Sequence, residues 1–428
     1  MLASGVHTRF LDEDDDAMQA EPSAPPPPPP AAPAGAPLPP PGGAAPAAAA
    51  ALRALSSVRA DHGATDPCYV FQLAHSPGAG LVAATLSSRR VKLYALADGA
   101  LRFAAELAGH AGRLTDAHFD LPGEPHLLLT SGADGAVRGW DARTGGAPVE
   151  EYRASPGAEA LCCHSNGALV AAGAGDAVLF WDRRTRRAAA SFADTHAQDV
   201  TQVRFHPAAP ARLVTASDDG MVCVFDAGGA LDEDEGFAAG VNIDTGVARL
   251  GFYGSAGERI WVASTTESLH LWEWAAACED GAEGGAGPLG EALEARAALA
   301  AAAVGTPLGA GVDYLVGCEW DAGAQRLLLA AGTSAGAAAL FPVAEPRALG
   351  GALAFGPPAA LLLGEHDDVV RAVVRPCGAG PLLLSGGEDA RVCVWSADGS
   401  VGAGAASSGS DGAVRRPVHG RTQRASPY

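Results

Sequence analysis

Three histidines stand in the same relation to an aspartate further along the chain: His110 with Asp134, His196 with Asp219, and His366 with Asp389. A hydroxyl residue lies between each pair, Thr130, Thr215 and Ser385. Imidazole, carboxylate and hydroxyl are the parts of an activated nucleophile, in which the imidazole takes the hydroxyl proton and the carboxylate orients the imidazole. They are equally the parts of a structural hydrogen-bond chain. Spacing separates the two readings. In all three sets the hydroxyl lies ten residues before an aromatic residue and the aspartate six before it, the aromatics being Trp140, Phe225 and Trp395. The same set three times in register belongs to a repeated unit rather than to one catalytic centre.

Other chemistry is absent from the pattern. Gly285-Ala286-Gly287-Pro288-Leu289-Gly290 satisfies GxGxxG, but no strand precedes it and no βαβ unit surrounds it. The one lysine, Lys92, sits in a strand-like run without a phosphate-loop motif. No HExxH or GxSxG occurs, and Cys and His show no zinc-ligand spacing. None of the eight cysteines forms a CxxC pair, and most sit in apolar runs, which reads as reduced, buried thiols. The expectation is a chain with no catalytic residue, no metal and no cofactor, hence not an enzyme.

The repeat spans most of the chain. An aromatic closes each unit, in the series Tyr94, Trp140, Trp181, Phe225, Trp272, Phe341 and Trp395. The first four gaps are 46, 41, 44 and 47 residues, and the last two, 69 and 54, each need an insertion. Within a unit the texture is that of short strands. Val200 to Phe205, Leu213 to Ala216 and Met221 to Phe225 are β-branched and aromatic runs, separated by His206-Pro207-Ala208 and by the turn Asp218-Asp219-Gly220. Such a period matches a four-stranded propeller blade. The fold expected is all-β, a seven-bladed propeller over 51–398. Little strand-forming sequence follows Trp395, so the ring needs an outer strand from the N-terminal side, for which Leu52 to Arg59 is the candidate.

Composition sets the flanks. Residues 1–50 hold the run Asp12 to Asp16 and a Pro/Ala tract beginning at Pro25, too poor in large apolar residues to offset chain entropy, and are expected to be a disordered extension. Residues 399–428 read as a flexible basic tail. Segment 275–310 reads as a low-complexity insertion between blades five and six, a surface loop, with a short helix over Glu291 to Val304 as the alternative.

The three sets resemble the WD40 repeat, whose His, Ser/Thr, Asp and Trp form a hydrogen-bonded tetrad within each blade. The resemblance implies a structural role for His110, Thr130, Asp134, Trp140, His196, Thr215, Asp219, Phe225, His366, Ser385, Asp389 and Trp395. Phe225 departs from it, since phenylalanine has no N–H to donate. Thr195 to Pro207, Asp313 to Cys318 and the turn Gly386-Gly387-Glu388-Asp389 are similar to segments of the WD repeat-containing protein 89 family, over about Cys68 to Ser396. That likeness implies the fold and leaves the activity open.

Function is expected in protein–protein interaction, as a scaffold or adaptor. Trp140-Asp141-Ala142-Arg143 and Trp181-Asp182-Arg183-Arg184 both read WDxR. The motif is similar to that of WD40 substrate receptors that dock on the adaptor of cullin-4 ubiquitin ligases, which makes Arg143 and Arg184 candidate partner-binding residues and that adaptor a candidate partner. A propeller enzyme is the reading from another class. The formal net charge of −20 argues against nucleic acid and anionic lipid. The acidic N-terminus is not a secretory signal, and no membrane span is present. A monomeric propeller working within a complex, cytoplasmic or nuclear and not secreted, is the expectation.

Overall fold

The computed structural model describes residues 50–61, 68–119, 123–274, 288–309, 311–346, 350–376 and 381–397. The tail at 399–428, residues 1–49, Cys278, Cys377 and the stretch 275–287 lie outside the described residues.

The described strands form seven antiparallel four-stranded meanders, two of them extended by short extra strands. Blade four shows how such a meander arises. Its strands are Val200–Phe205, Arg212–Ser217, Met221–Asp226 and Phe237–Asn242, paired in sequence order. Pro207 cannot continue the first strand, and the His206 Nδ1 accepts from the backbone N–H groups of Ala208 (3.2 Å) and Ala209 (2.8 Å), closing the turn. At the second turn Gly220 has φ +84°, and the Asp219 Oδ1 accepts from the Met221 N–H at 2.8 Å. The acidic residues Asp232 to Glu235 build the connection between the third and outer strands. Asp232 caps the one-turn helix Glu233–Gly236, and Glu233 accepts from the N–H groups of Ala193 (2.8 Å) and Asp194 (3.0 Å).

Seven apolar clusters lie at the seven seams between neighbouring blades. Each contains one aromatic of the repeat series. Trp140 packs with Val91, Leu93 and Leu107 of blade one, for instance, and Tyr94 with Leu384, Val392 and Val394 of blade seven. The ring closes as expected from the N-terminal side. Arg53–Arg59 pairs antiparallel with Arg391–Ser396, placing Ala54 opposite Trp395. Just before it, Ala50–Ala51 runs parallel to Ala360–Leu362 of blade six, so this segment bridges two blades.

Segment 275–310 departs from the expectation. From Leu289 onward it is part of the ring: Gly290–Ala292 is the outer strand of blade five, paired with Leu269–Trp272, and Gly351–Ala352 adds to it in parallel. The helix Ala295–Ala302 follows, with Ala295, Leu299 and Ala303 buried in the seam between blades five and six. Alanine and leucine give this stretch its helix propensity, and the packed face secures it. The surface-loop reading therefore fails for 289–303, and the helix alternative holds over Ala295–Ala302.

The tetrads take the expected partners in two blades. In blade two the Trp140 Nε1 donates to the Thr130 Oγ1 (2.8 Å), which meets the His110 Nε2 (2.8 Å), while the His110 Nδ1 faces the Asp134 Oδ1 (2.9 Å). Blade seven repeats it: Trp395 Nε1 to Ser385 Oγ (2.8 Å), Ser385 Oγ to His366 Nε2 (2.7 Å), His366 Nδ1 to Asp389 Oδ1 (3.0 Å). In blade four His196 meets Thr215 at 2.8 Å, but Phe225 brings no N–H and the contact from His196 Nδ1 to Asp219 Oδ2 opens to 3.5 Å. Blade five has a tryptophan without the chain beneath it, and among the described residues the buried Trp272 Nε1 has no hydrogen-bond partner.

This contrast gives a stability test. Trp140→Phe and Trp395→Phe each remove a satisfied buried hydrogen bond and are expected to lower the unfolding free energy by about 1–2 kcal/mol more than Trp272→Phe does. Denaturant unfolding of the three variants measures it, and equal losses would contradict the role of the tetrads. Deleting Ala50 to Arg59 uncovers the edge of blade seven, and thermal unfolding of the shortened chain is expected to show a lower and broader transition than that of the full chain.

Candidate functional site

The innermost strands are Val70–Ser76, Leu114–His118, Cys162–Ser165, Val200–Phe205, Val247–Tyr253, Tyr314–Asp321 and Val370–Val374. In a strand alternate side chains point to opposite faces, so one set packs into the blades and the other faces the lumen. Leu73, Ala117, Cys163, Val203 and Leu250 belong to the buried set. Gln72, Asp116, Arg204 and Arg249 occupy the alternate positions, Asp116 being buried among its partners.

Asp116 is the centre of this set. Its Oδ1 accepts from the Gln72 Nε2 of blade one (3.0 Å) and lies 2.7 Å from the His118 Nε2. Its Oδ2 accepts from the Arg204 Nη1 of blade four (3.0 Å) and from the Cys163 N–H of blade three (3.3 Å). One carboxylate thus ties four consecutive blades around the channel. Burial alone would raise its pKa, but Arg204, His118 and Gln72 outweigh burial and hold it far below the usual carboxylate range. Such an acid is a poor proton acceptor at neutral pH. The nearby thiols are poor nucleophiles: burial and the Asp116 charge push Cys162 up to about 12, and Cys163 is raised by the same causes. Among the described residues no group of three or more His, Cys, Asp or Glu is placed to hold a metal.

The expected partner-binding arginines lie elsewhere, in the turns joining third to outer strands of blades two and three, and hence on one face of the ring. Arg143 is exposed and turns back on its own motif, with Nε to Asp141 Oδ1 at 3.0 Å and Nη2 to Asp141 Oδ2 at 2.7 Å. Those hydrogen bonds lower the Asp141 pKa to about 2. Arg184 is exposed as well. Its neighbour Arg183 is largely buried and joins Glu150 (Nη2 to Oε1, 2.8 Å) and Glu124 (Nη2 to Oε2, 2.8 Å) of blade two, fastening the blades together. The structure therefore separates two adjacent arginines by role, one holding the ring and one facing solvent. Sequence reasoning missed the Asp116 centre, because Gln72, Asp116 and Arg204 are far apart in the chain and meet only through the circle. The available signal was a charged residue inside an otherwise apolar strand.

The Asp116 centre gives a pH test. Its folded pKa lies below the unfolded value of about 3.9, so its contribution is complete above about pH 5 and is lost as pH falls below 4. Asp116→Asn leaves Arg204 buried without its counter-ion and is expected to cost roughly 3–5 kcal/mol at pH 7. The variant's stability should also fall less steeply than wild type between pH 5 and pH 3, as read by denaturant unfolding across pH. Parallel curves would contradict the assignment.

Comparison with known proteins agrees with this architecture. The WD domain, G-beta repeat matches residues 190–226 and 360–396, which cover blades four and seven with the approach to each. The chain is 32% identical to the WD repeat-containing protein GTS1 of Arabidopsis thaliana over 373 residues, 84% of this chain and 89% of that protein. It is 26% identical to the WD repeat-containing protein 89 homolog of Dictyostelium discoideum over 336 residues, 78% of this chain and 85% of that protein. A shorter stretch of 137 residues, 32% of this chain and 14% of that protein, is 29% identical to the human GATOR2 complex protein WDR59. With the seven blades, the aromatic at every seam and the tetrads of blades two and seven, these likenesses make the chain a member of the WD40-repeat family.

Proposed function

We propose that the chain is a non-catalytic platform for protein–protein interaction, a monomeric ring that works within a larger assembly in the cytoplasm or nucleus. The observation that carries this reading is how the polar interior is occupied. Within each of the tetrads of blades two and seven, the Asp116 centre and the Arg183 pairings, the polar groups take partners from their own set. What remains for function is the exposed loops of the ring faces, where binding residues commonly sit on a rigid scaffold. The likeness to a protein named for a complex supports the same reading. No described helix is long and apolar enough to cross a membrane.

A second, finer reading is a substrate receptor of a cullin-4 ligase. It is favoured by the exposure of Arg143 and Arg184 on one face in consecutive blades, the Arg143 guanidinium being held by Asp141 and that of Arg184 facing solvent. Affinity purification of the tagged chain with mass spectrometry, wild type beside Arg143→Ala/Arg184→Ala, tests both. The platform reading expects a stable set of proteins with the wild type. The ligase reading expects the cullin-4 adaptor in that set and its loss from the variant. An adaptor retained by the variant, or never captured, rejects the ligase role, and a chain recovered without any stoichiometric protein rejects the platform.

A further inference from the structure

Lysine is almost missing from this chain. Of 29 lysines and arginines in 428 residues, Lys92 alone is a lysine. The fold buries it. Lys92 is 5% exposed, in the third strand of blade one, Arg90–Ala97. Its neighbours Val91 and Leu93 pack toward Trp140 of blade two. Side chains alternate along a strand, so Lys92 turns the other way, into the seam with blade seven that also holds Tyr94. Its Nζ lies 3.8 Å from the Glu106 Oε2 of the outer strand, and Asp61 and Cys68 are close enough to feel its charge.

That seam is the one beside which the ring closes. Leu55 and Val58 of the closing strand pack against its apolar cluster, Ala60 is part of the cluster, and Asp61 follows directly. Elsewhere the four main strands of a blade follow one another along the chain. Here the ladder pairs Arg53–Arg59 with Arg391–Ser396, from the two ends of the described fold, so the circle is shut without a covalent link. The cover over Lys92 is therefore the part of the ring that can leave by breaking one strand pairing.

We propose that Lys92 is a conditional acyl-acceptor site: the closed ring offers no lysine to an acyl donor, and Lys92 becomes one when the closing strand leaves its seam. Lysine is the side chain that receives acetyl groups and ubiquitin. The donor class is an activated carbonyl such as a thioester. In the transfer the Nζ forms an amide bond to the carbonyl carbon and the carbon–sulfur bond breaks. The sulfur leaves with the bonding pair and takes up the proton that the nitrogen loses. A buried acceptor reacts only from the opened state, at a rate scaled by the fraction of rings that are open. Modification thus marks opened rings and spares closed ones. The proposal goes beyond the platform reading and depends on no partner.

The test is acetylation of the full native chain by the N-hydroxysuccinimide ester of acetate, with the rate at each amine read by mass spectrometry. A small acyl group needs the least opening, so it sets an upper bound on access for larger ones. Arg102→Lys supplies a ruler, since Arg102 is exposed on the outer strand of the same blade. Lys92 is expected to react about a hundredfold or more slowly than the new amine of Arg102→Lys, and at a similar rate once both chains are unfolded in urea. Leu55→Ser/Val58→Ser loosens the closing strand and should speed Lys92 about tenfold or more, whereas Leu250→Ala, in the seam between blades four and five, should leave it within about twofold of wild type. If the closing-strand variant proves unfolded by its melting curve, the comparison of wild type with Arg102→Lys still decides whether Lys92 is sheltered. The proposal is overturned if native Lys92 reacts about as fast as the exposed amine, or if Leu250→Ala speeds it as much as the closing-strand variant does.

Discussion

One large aromatic wedged into each seam is the interaction on which the ring depends. Tyr94, Trp140, Trp181, Phe225, Trp272, Phe341 and Trp395 each fill a different seam, and all are buried. A four-stranded sheet has two faces and no interior of its own, so it is stable only against neighbours. Burying such side chains supplies most of the association between blades. The same dependence explains the closure. In an open array the two terminal blades would each leave one face wet, whereas a circle has no terminal blade. The strand Arg53–Arg59 on the last blade is the consequence, since it holds the first and last parts of the chain in one sheet.

The polar devices refine that scheme without replacing it. Blades two and seven carry a full hydrogen-bond chain beneath the tryptophan, blade four a loosened one, and blade five a tryptophan with no acceptor. The ring tolerates this variation because the apolar wedge is present at every seam. Asp116 acts across the seams, linking the innermost strands of blades one to four. Arg249 reaches from blade five to carbonyls of blades six and seven. The innermost strands are thus joined by a carboxylate-centred network across blades one to four and by an arginine bonded to backbone carbonyls across blades five to seven.

How much of this the amino-acid sequence discloses follows from the range of each interaction. Aromatic spacing and tetrads are legible because each blade repeats them at fixed offsets, and the closing strand is legible because the last unit lacks one. The outer strand of blade five was not, since Gly290-Glu291-Ala292 has little strand propensity and is held by Leu269–Trp272 on one side and Gly351–Ala352 on the other. The Ala-rich helix after it reads as low complexity until Leu299 and its alanines are seen packed in the seam. Arg183 and Arg184 are neighbours in sequence with opposite fates, decided by Glu124 and Glu150 across a blade boundary. The Asp116 centre arises only when strands far apart in the chain meet around the circle.

The account's central claim is that the seams hold the ring and the faces do the work. Hydrogen–deuterium exchange of the chain alone, and of the same chain in the assembly recovered with it, tests this most directly. The account predicts added protection confined to face loops and the channel mouth, with exchange in the third strands of the blades unchanged. Protection gained along the outer strands or within the seams, with the face loops unaffected, would contradict it.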